Sequence, residues 1–228
     1  MCLAVVAFSV TITFASGTDD SGFIEVDCPV NGSIYYAGET MTIDFSLYDT
    51  WEEYYSVPVL GYYKSGQSKA FDLESGEAAD PDDWTSYSWK HSLAGYAPGR
   101  YRLFIMDAPG YSDGDLIDDW QDWEGIPSVN VYFSVRTLQA PKKLKITAGK
   151  KKVTIHFEKV SGASSYEVYR STNKNKGYKR IGTIKKNNYV DKKVKRGKRY
   201  YYKVRAVRNV NGKVTSKYCN PKRSLAVR

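Results

Sequence analysis

Along most of the chain, apolar and polar residues alternate with a period of two, the signature of β-strands buried on one face. Val153, Ile155 and Phe157 point one way, while Thr154, His156 and Glu158 point the other. Met41, Ile43, Phe45 and Leu47 share a face in residues 38–48. Tyr200, Tyr202, Val204 and Ala206 oppose Tyr201, Lys203 and Arg205. Further strands are expected over 23–27, 54–63 (around Pro58), 84–93, 97–106, 129–135, 166–170 and 178–184. Asn211-Gly212 suits a tight hairpin turn into a last strand. No segment sustains a 3.6-residue period, and Val, Ile, Thr and Tyr dominate the patterned runs. The expectation is an all-β chain of two β-sandwich domains in tandem.

Charge places the boundary. The 228 residues leave room for two domains, each able to bury a core. Residues 18–135 carry 22 Asp and Glu against 5 Lys and Arg, a net −17. Residues 136–228 carry 3 acids against 29 bases, a net +26, and the whole chain sums to +9. Pro141 also discourages a continuous strand across this break. The organisation expected is an acidic domain over 18–136, a linker over 137–141 and a basic domain over 142–228. All five Trp lie on the acidic side.

Residues 1–17 are read as a secretory signal peptide. The apolar run from Leu3 to Ala15 is too short to span a bilayer, and Ala15 and Gly17 suit the positions before a cleavage at Thr18. No Lys or Arg precedes the run, which points to a start codon placed too late. The competing reading is a strand of a preceding domain, since Val10 to Thr13 suits one. Cys28 and Cys219 fall in different domains and are expected as small buried hydrophobes rather than as a disulfide. Exported and free of disulfides, the chain fits a bacterium with a single membrane.

The C-terminal half resembles a known family. Ala140-Pro-Lys-Lys-Leu144, Val153-Thr-Ile-His-Phe157 and Val160-Ser-Gly-Ala-Ser-Ser-Tyr-Glu-Val-Tyr-Arg170 are similar to the fibronectin type III domains of Gram-positive secreted and surface proteins. Val194, Gly197, Tyr200, Tyr202, Val204 and Ala206 resemble that family's Leu-x-x-Gly-x-x-Tyr-x-Val-x-Val-x-Ala run. The resemblance implies that Tyr200 is the corner tyrosine and that Phe157 stands where the family usually has Trp. It implies little about ligand, because the fold serves as spacer, adhesive surface and docking module alike. The N-terminal half is loosely similar to bacterial immunoglobulin-like sandwiches.

Two groups of residues are candidates for binding. The first is basic: Lys150, Lys151, Lys152, Lys192, Lys193, Lys195, Arg196, Lys198, Arg199, Lys203 and Arg205. As a site they would meet a polyanion, either an anionic cell-wall polymer such as teichoic acid or the acidic surface of another protein. As a solvated face they would only keep an exported module soluble. Nucleic acid is not expected, since no recognition motif accompanies the charge.

The second group lies in the stretch 107–125, read as a long loop between the last two strands of the acidic domain. Asp113, Asp115, Asp118, Asp119 and Asp122 offer hard oxygens to Ca²⁺, although their spacing departs from the EF-hand loop. Trp120 and Trp123, with Tyr111, suit a platform for the rings of a polysaccharide. The plainer readings are an exposed acidic loop and two packing aromatics.

Catalysis is not expected. The two His, His91 and His156, have no metal-binding or nucleophile–base pattern, and no phosphate-cradling Gly loop is present. The function expected is a non-catalytic secreted or cell-surface protein that pairs a binding domain with a basic spacer or wall-associating module. The alternative is an ancillary piece of an extracellular carbohydrate-active enzyme.

Overall fold

The computed structural model describes residues 10–11, 23–48, 55–65, 72–80, 83–111, 114, 116 and 128–228. It is all-β, and among these residues no helix is long and apolar enough to cross a membrane. The chain divides into two compact units, Met1–Tyr35 with Thr40–Arg136 and Tyr36–Glu39 with Thr137–Arg228.

The N-terminal unit is a two-sheet sandwich. One sheet contains β1 (Val10–Thr11), β2 (Phe23–Cys28), β4 (Thr40–Tyr48) and β7 (Trp84–Ser92), in the order β1-β2-β4-β7. The other contains β3 (Ser33–Tyr36), β5 (Tyr55–Lys64), β6 (Asp72–Ser75), β8 (Gly99–Gly110) and β9 (Ser128–Arg136), in the order β3-β9-β8-β5-β6. This division of the strands is that of an immunoglobulin-like sandwich. The expected alternation holds in β4, where Met41, Ile43, Phe45 and Leu47 are buried and the residues between them are half-exposed. Leu103 and Ile105 of β8 and Val131, Phe133 and Val135 of β9 are also buried, and Tyr101 stacks on Phe133 with ring centroids 5.5 Å apart.

One feature of this unit differs from the sequence reading. The stretch 107–125 does not begin as a loop at Asp107. Strand β8 runs on to Gly110 because Val57, Ser56 and Tyr55 of β5 pair with Ala108, Pro109 and Gly110. A short two-residue strand, β1, falls within the segment read as a signal peptide and pairs through Val10 with Val26 and through Thr11 with Glu25.

The C-terminal unit is a second sandwich. Strands β10 (Lys145–Gly149), β11 (Lys152–His156) and β14 (Asn188–Asp191) form one sheet, in the order β10-β11-β14. Strands β12 (Ser165–Ser171), β13 (Lys179–Ile184), β15 (Tyr201–Val210) and β16 (Gly212–Thr215) form the other, in the order β13-β12-β15-β16, and β17 (Lys222–Arg223) pairs with β15. The Asn211-Gly212 turn closes the β15–β16 hairpin, with Val210 opposite Gly212.

The core of this unit comes from alternate residues of facing strands. Val153, Ile155 and Phe157 meet Val168, Tyr202, Val204 and Ala206, all fully buried. Phe157 packs edge-on to Tyr166, with ring centroids 4.8 Å apart. The Tyr200 hydroxyl accepts a hydrogen bond from the Lys195 backbone N–H at 3.1 Å, the geometry of a tyrosine corner. Cys219 is a buried free thiol whose sulfur accepts the Val204 N–H at 3.2 Å.

Candidate polyanion-binding site

The C-terminal unit neutralises its few acids internally. Residues 136–228 contain Glu158, Glu167 and Asp191 as their three carboxylates. Glu158 pairs with Lys143 at the surface. Asp191 is buried, receives Arg170 at 2.8 Å and accepts the Tyr202 hydroxyl at 2.9 Å. Glu167 is buried and gathers Arg205 at 2.7 Å, Arg180 at 3.0 Å and the Tyr169 hydroxyl at 2.8 Å, with Lys213 at 3.7 Å. Burial alone would raise the Glu167 carboxyl. Hydrogen bonds from Tyr169 and Arg205, with the charge of Arg205, outweigh it and hold that carboxyl down to about 2. Burial raises the Tyr202 hydroxyl well above its ordinary value, and the Asp191 charge adds to the effect. These residues serve the fold and leave no carboxylate over for the remaining cations.

The Lys and Arg of the β10–β11 turn and of the segment after β14 come together at one end of the sandwich. The turn between β10 and β11 carries Lys150 and Lys151, and Lys151 adopts a left-handed backbone with φ 51°. The C-terminal residues stitch this turn to the segment after β14. Lys151 N–H donates to Arg228 O at 2.8 Å, Gly197 N–H to Val227 O at 2.9 Å and Val227 N–H to Lys198 O at 3.0 Å. Ala148, Gly149, Lys150, Lys151, Arg196 and Arg228 thereby line an open cleft of about 700 Å³.

The register that sets Val153 opposite Asp191 brings Lys152 and Lys192 to the same end. Lys193 is fixed there by its N–H on the Asp191 carboxylate at 3.0 Å, and Lys195 by the Tyr200 hydroxyl. All of these basic side chains, with those of Lys198 and Arg199, are exposed. Among the described residues, none of them forms an ion pair. A cluster of unopposed cations on a low-dielectric frame focuses a positive potential outward.

Comparison with known proteins agrees with the architecture. Residues 141–220 match the family described as fibronectin type III domain SaeA third domain. This stretch is a fibronectin type III domain. A fibronectin type III-like protein from Clostridium thermocellum is 28% identical, with a TM-score of 0.33, and the match covers 40% of this chain and 97% of that one. Domains A168-A170 of titin are 14% identical, with a TM-score of 0.37, over 90% of this chain and 74% of that one. No curated protein matches the sequence.

Two of the basic candidates lie apart from this pole. Lys203 and Arg205 sit on β15 of the fibronectin type III domain, in the sheet with β12 and β13. Arg205 is committed to Glu167. The Lys203 ammonium lies 3.8 Å from the ring centroid of Tyr218 and 4.4 Å from that of Tyr178, within cation–π range of both. The alternation of β15 put both side chains on the polar face. Their partners come from β12, from Tyr178 and from the 216–221 segment, a convergence that strand spacing does not reveal. Arg228 was also missed as a member of the pole, because only the folded backbone returns the last residues to the β10–β11 turn.

Few residues of the acidic stretch are described. Tyr111 is 54% exposed, and its carbonyl accepts the Gly114 N–H at 2.9 Å. Trp120, Trp123, Asp113, Asp115, Asp118, Asp119 and Asp122 lie outside the described residues. Among the described residues no group of three or more His, Cys, Asp or Glu is placed to hold a metal ion. His91 is buried, stacks on Tyr62 with centroids 3.8 Å apart and lies 2.6 Å from the Tyr96 hydroxyl through Nε2, which makes it a packing residue.

Proposed function

We propose that this chain is a non-catalytic secreted or cell-surface binding protein whose fibronectin type III domain docks on a polyanion. The observation that carries the reading is the division of charge within that domain. Each of its three acids is already paired within the domain, and no Asp or Glu lines the pole around Lys150, Lys151, Arg196 and Arg228. Solubility asks for much less than a net +26 on 93 residues. An anionic cell-wall polymer of the teichoic acid kind is the partner favoured, because a repeating phosphate chain can neutralise several fixed cations at once. The acidic surface of another protein is the second candidate. The acidic N-terminal sandwich then supplies a second binding surface.

Charge reversal tests this reading. A Lys150→Glu, Lys151→Glu, Arg196→Glu variant should lose at least tenfold in retention on purified teichoic-acid-bearing walls while keeping its melting temperature, since all three side chains are exposed. Undiminished retention would remove the pole from consideration.

A further inference from the structure

The N-terminal unit holds its own exception to its acidity. Residues 18–135 contain five Lys and Arg, and three of them, Lys64, Arg100 and Arg102, line one cleft of about 360 Å³. No Asp or Glu contributes to that lining, and none of the three cations forms an ion pair among the described residues. Cations scattered to solubilise a surface of net −17 would be expected to sit beside its 22 acids. These three meet Tyr63, Tyr101 and Tyr132 instead.

Strand register explains the meeting. Tyr63 of β5 pairs with Arg102 of β8, and Arg102 pairs with Tyr132 of β9, so the three form one row across the outer face of the sheet. The Arg102 guanidinium lies over the Tyr63 ring, 4.1 Å from its centroid, and 5.8 Å from that of Phe104. Arg100 is two residues earlier on β8 and therefore on the same face. Lys64 follows Tyr63 at the end of β5. Tyr132 is 50% exposed, so its ring is open for stacking.

Such a row selects a particular chemistry. Phenol faces stack on the C–H faces of sugar rings, and guanidinium and ammonium groups pair with a carboxylate or phosphate on the same ring. The volume falls within the range of small-ligand sites, about 300–1,000 Å³. A peptide cannot add as a strand here, because β8 is flanked by β5 and β9 and has no free edge. The surrounding net charge disfavours a dense polyanion and leaves isolated anionic groups on otherwise neutral rings as the matching ligand. We infer that the Tyr63–Arg102–Tyr132 row, with Arg100 and Lys64, is a binding site for an anionic sugar, a pyranose ring bearing a carboxylate or phosphate.

The test uses the full chain titrated with tri-galacturonic acid, with glucose 6-phosphate as the phosphate arm and maltotriose as the neutral control, read by calorimetry and by chemical-shift changes. Binding of either anionic sugar, weakened at least tenfold by Lys64→Gln with Arg100→Gln and several-fold by Tyr132→Ala, is the expected result. Which sugar binds tells carboxylate from phosphate. Lys150→Gln with Lys151→Gln, at the pole of the other domain, should leave the chemical-shift changes of the Tyr63–Arg102–Tyr132 row unchanged, so failure here is separable from failure of the polyanion reading. Equal affinity for maltotriose, no binding of either anionic sugar, or loss that follows the pole variant would overturn the inference.

Discussion

Arg205 meets Glu167 across the β12–β15 pair, its guanidinium 2.7 Å from a carboxylate that is only 3% exposed. A cation that reads from sequence as part of a binding surface is thus the half-buried partner of a buried carboxylate, and its role is separable from that of Lys150 or Arg196. Arg205→Gln should lower the melting temperature and leave polyanion affinity nearly unchanged. Arg180 and Tyr169 still meet the carboxylate, so losing Arg205 costs about 2 kcal/mol. For a domain of this size that shifts the midpoint by roughly 8–16 °C. Parallel thermal scans and polymer titrations of Arg205→Gln and Lys151→Gln check the separation, which would collapse if both variants weakened binding equally.

Acid should expose the same pair. The folded Glu167 carboxyl is held at about 2, below its ordinary 4.5. A depressed carboxylate stabilises the fold fully above its unfolded pKa and loses that contribution as pH falls through the folded one. Stability of the fibronectin type III domain should therefore fall between about pH 4.5 and pH 2, and Glu167→Gln should flatten that part of the profile. Urea unfolding at a series of pH values measures the slope directly.

Tyr200→Phe removes one atom and one hydrogen bond, that from Lys195 N–H. The expected loss is about 1–2 kcal/mol, with the core otherwise intact. Because the same bond fixes Lys195 at the basic end, polymer affinity should drop modestly alongside stability. A variant as stable as the parent would show that the corner contributes nothing here.

The two buried thiols give a further check. Burial raises the Cys219 thiol and hides it from reagent, and Cys28 is likewise buried. Peptide mapping after alkylation should find both unmodified in the native chain and modified in urea. Rapid labelling of Cys219 in the native protein would contradict the packing of β15 against the 216–221 segment.

Period-two alternation made the architecture legible, because each core strand presents a clean apolar face. Met41 to Leu47 in β4 and Val153 to Phe157 in β11 are examples. Strands β3, β6, β10, β14 and β17 were not legible. They are short, and β14 (Asn-Tyr-Val-Asp) buries Asp191, a residue that reads as polar loop until Arg170 and Tyr202 neutralise it. The end of β8 was hidden by Asp107-Ala-Pro-Gly, a string of turn formers that pairs with β5 all the same.

Legibility of the candidate sites followed the same physics. Lys150 to Lys152 and Lys192 to Arg199 form runs in sequence, so their clustering was visible. Tyr63, Arg102 and Tyr132 come from three separate strands and meet only through register, which local pattern does not specify.

The most direct test of the account is the salt dependence of full-chain binding to a purified teichoic acid. Docking through the pole around Lys150, Lys151, Arg196 and Arg228 displaces counterions, so affinity should fall steeply and linearly on a log–log plot between about 50 and 500 mM salt. Charge neutralisation at those positions should shallow the slope. Binding that ignores salt, or a slope that is the same with and without the pole, would contradict it.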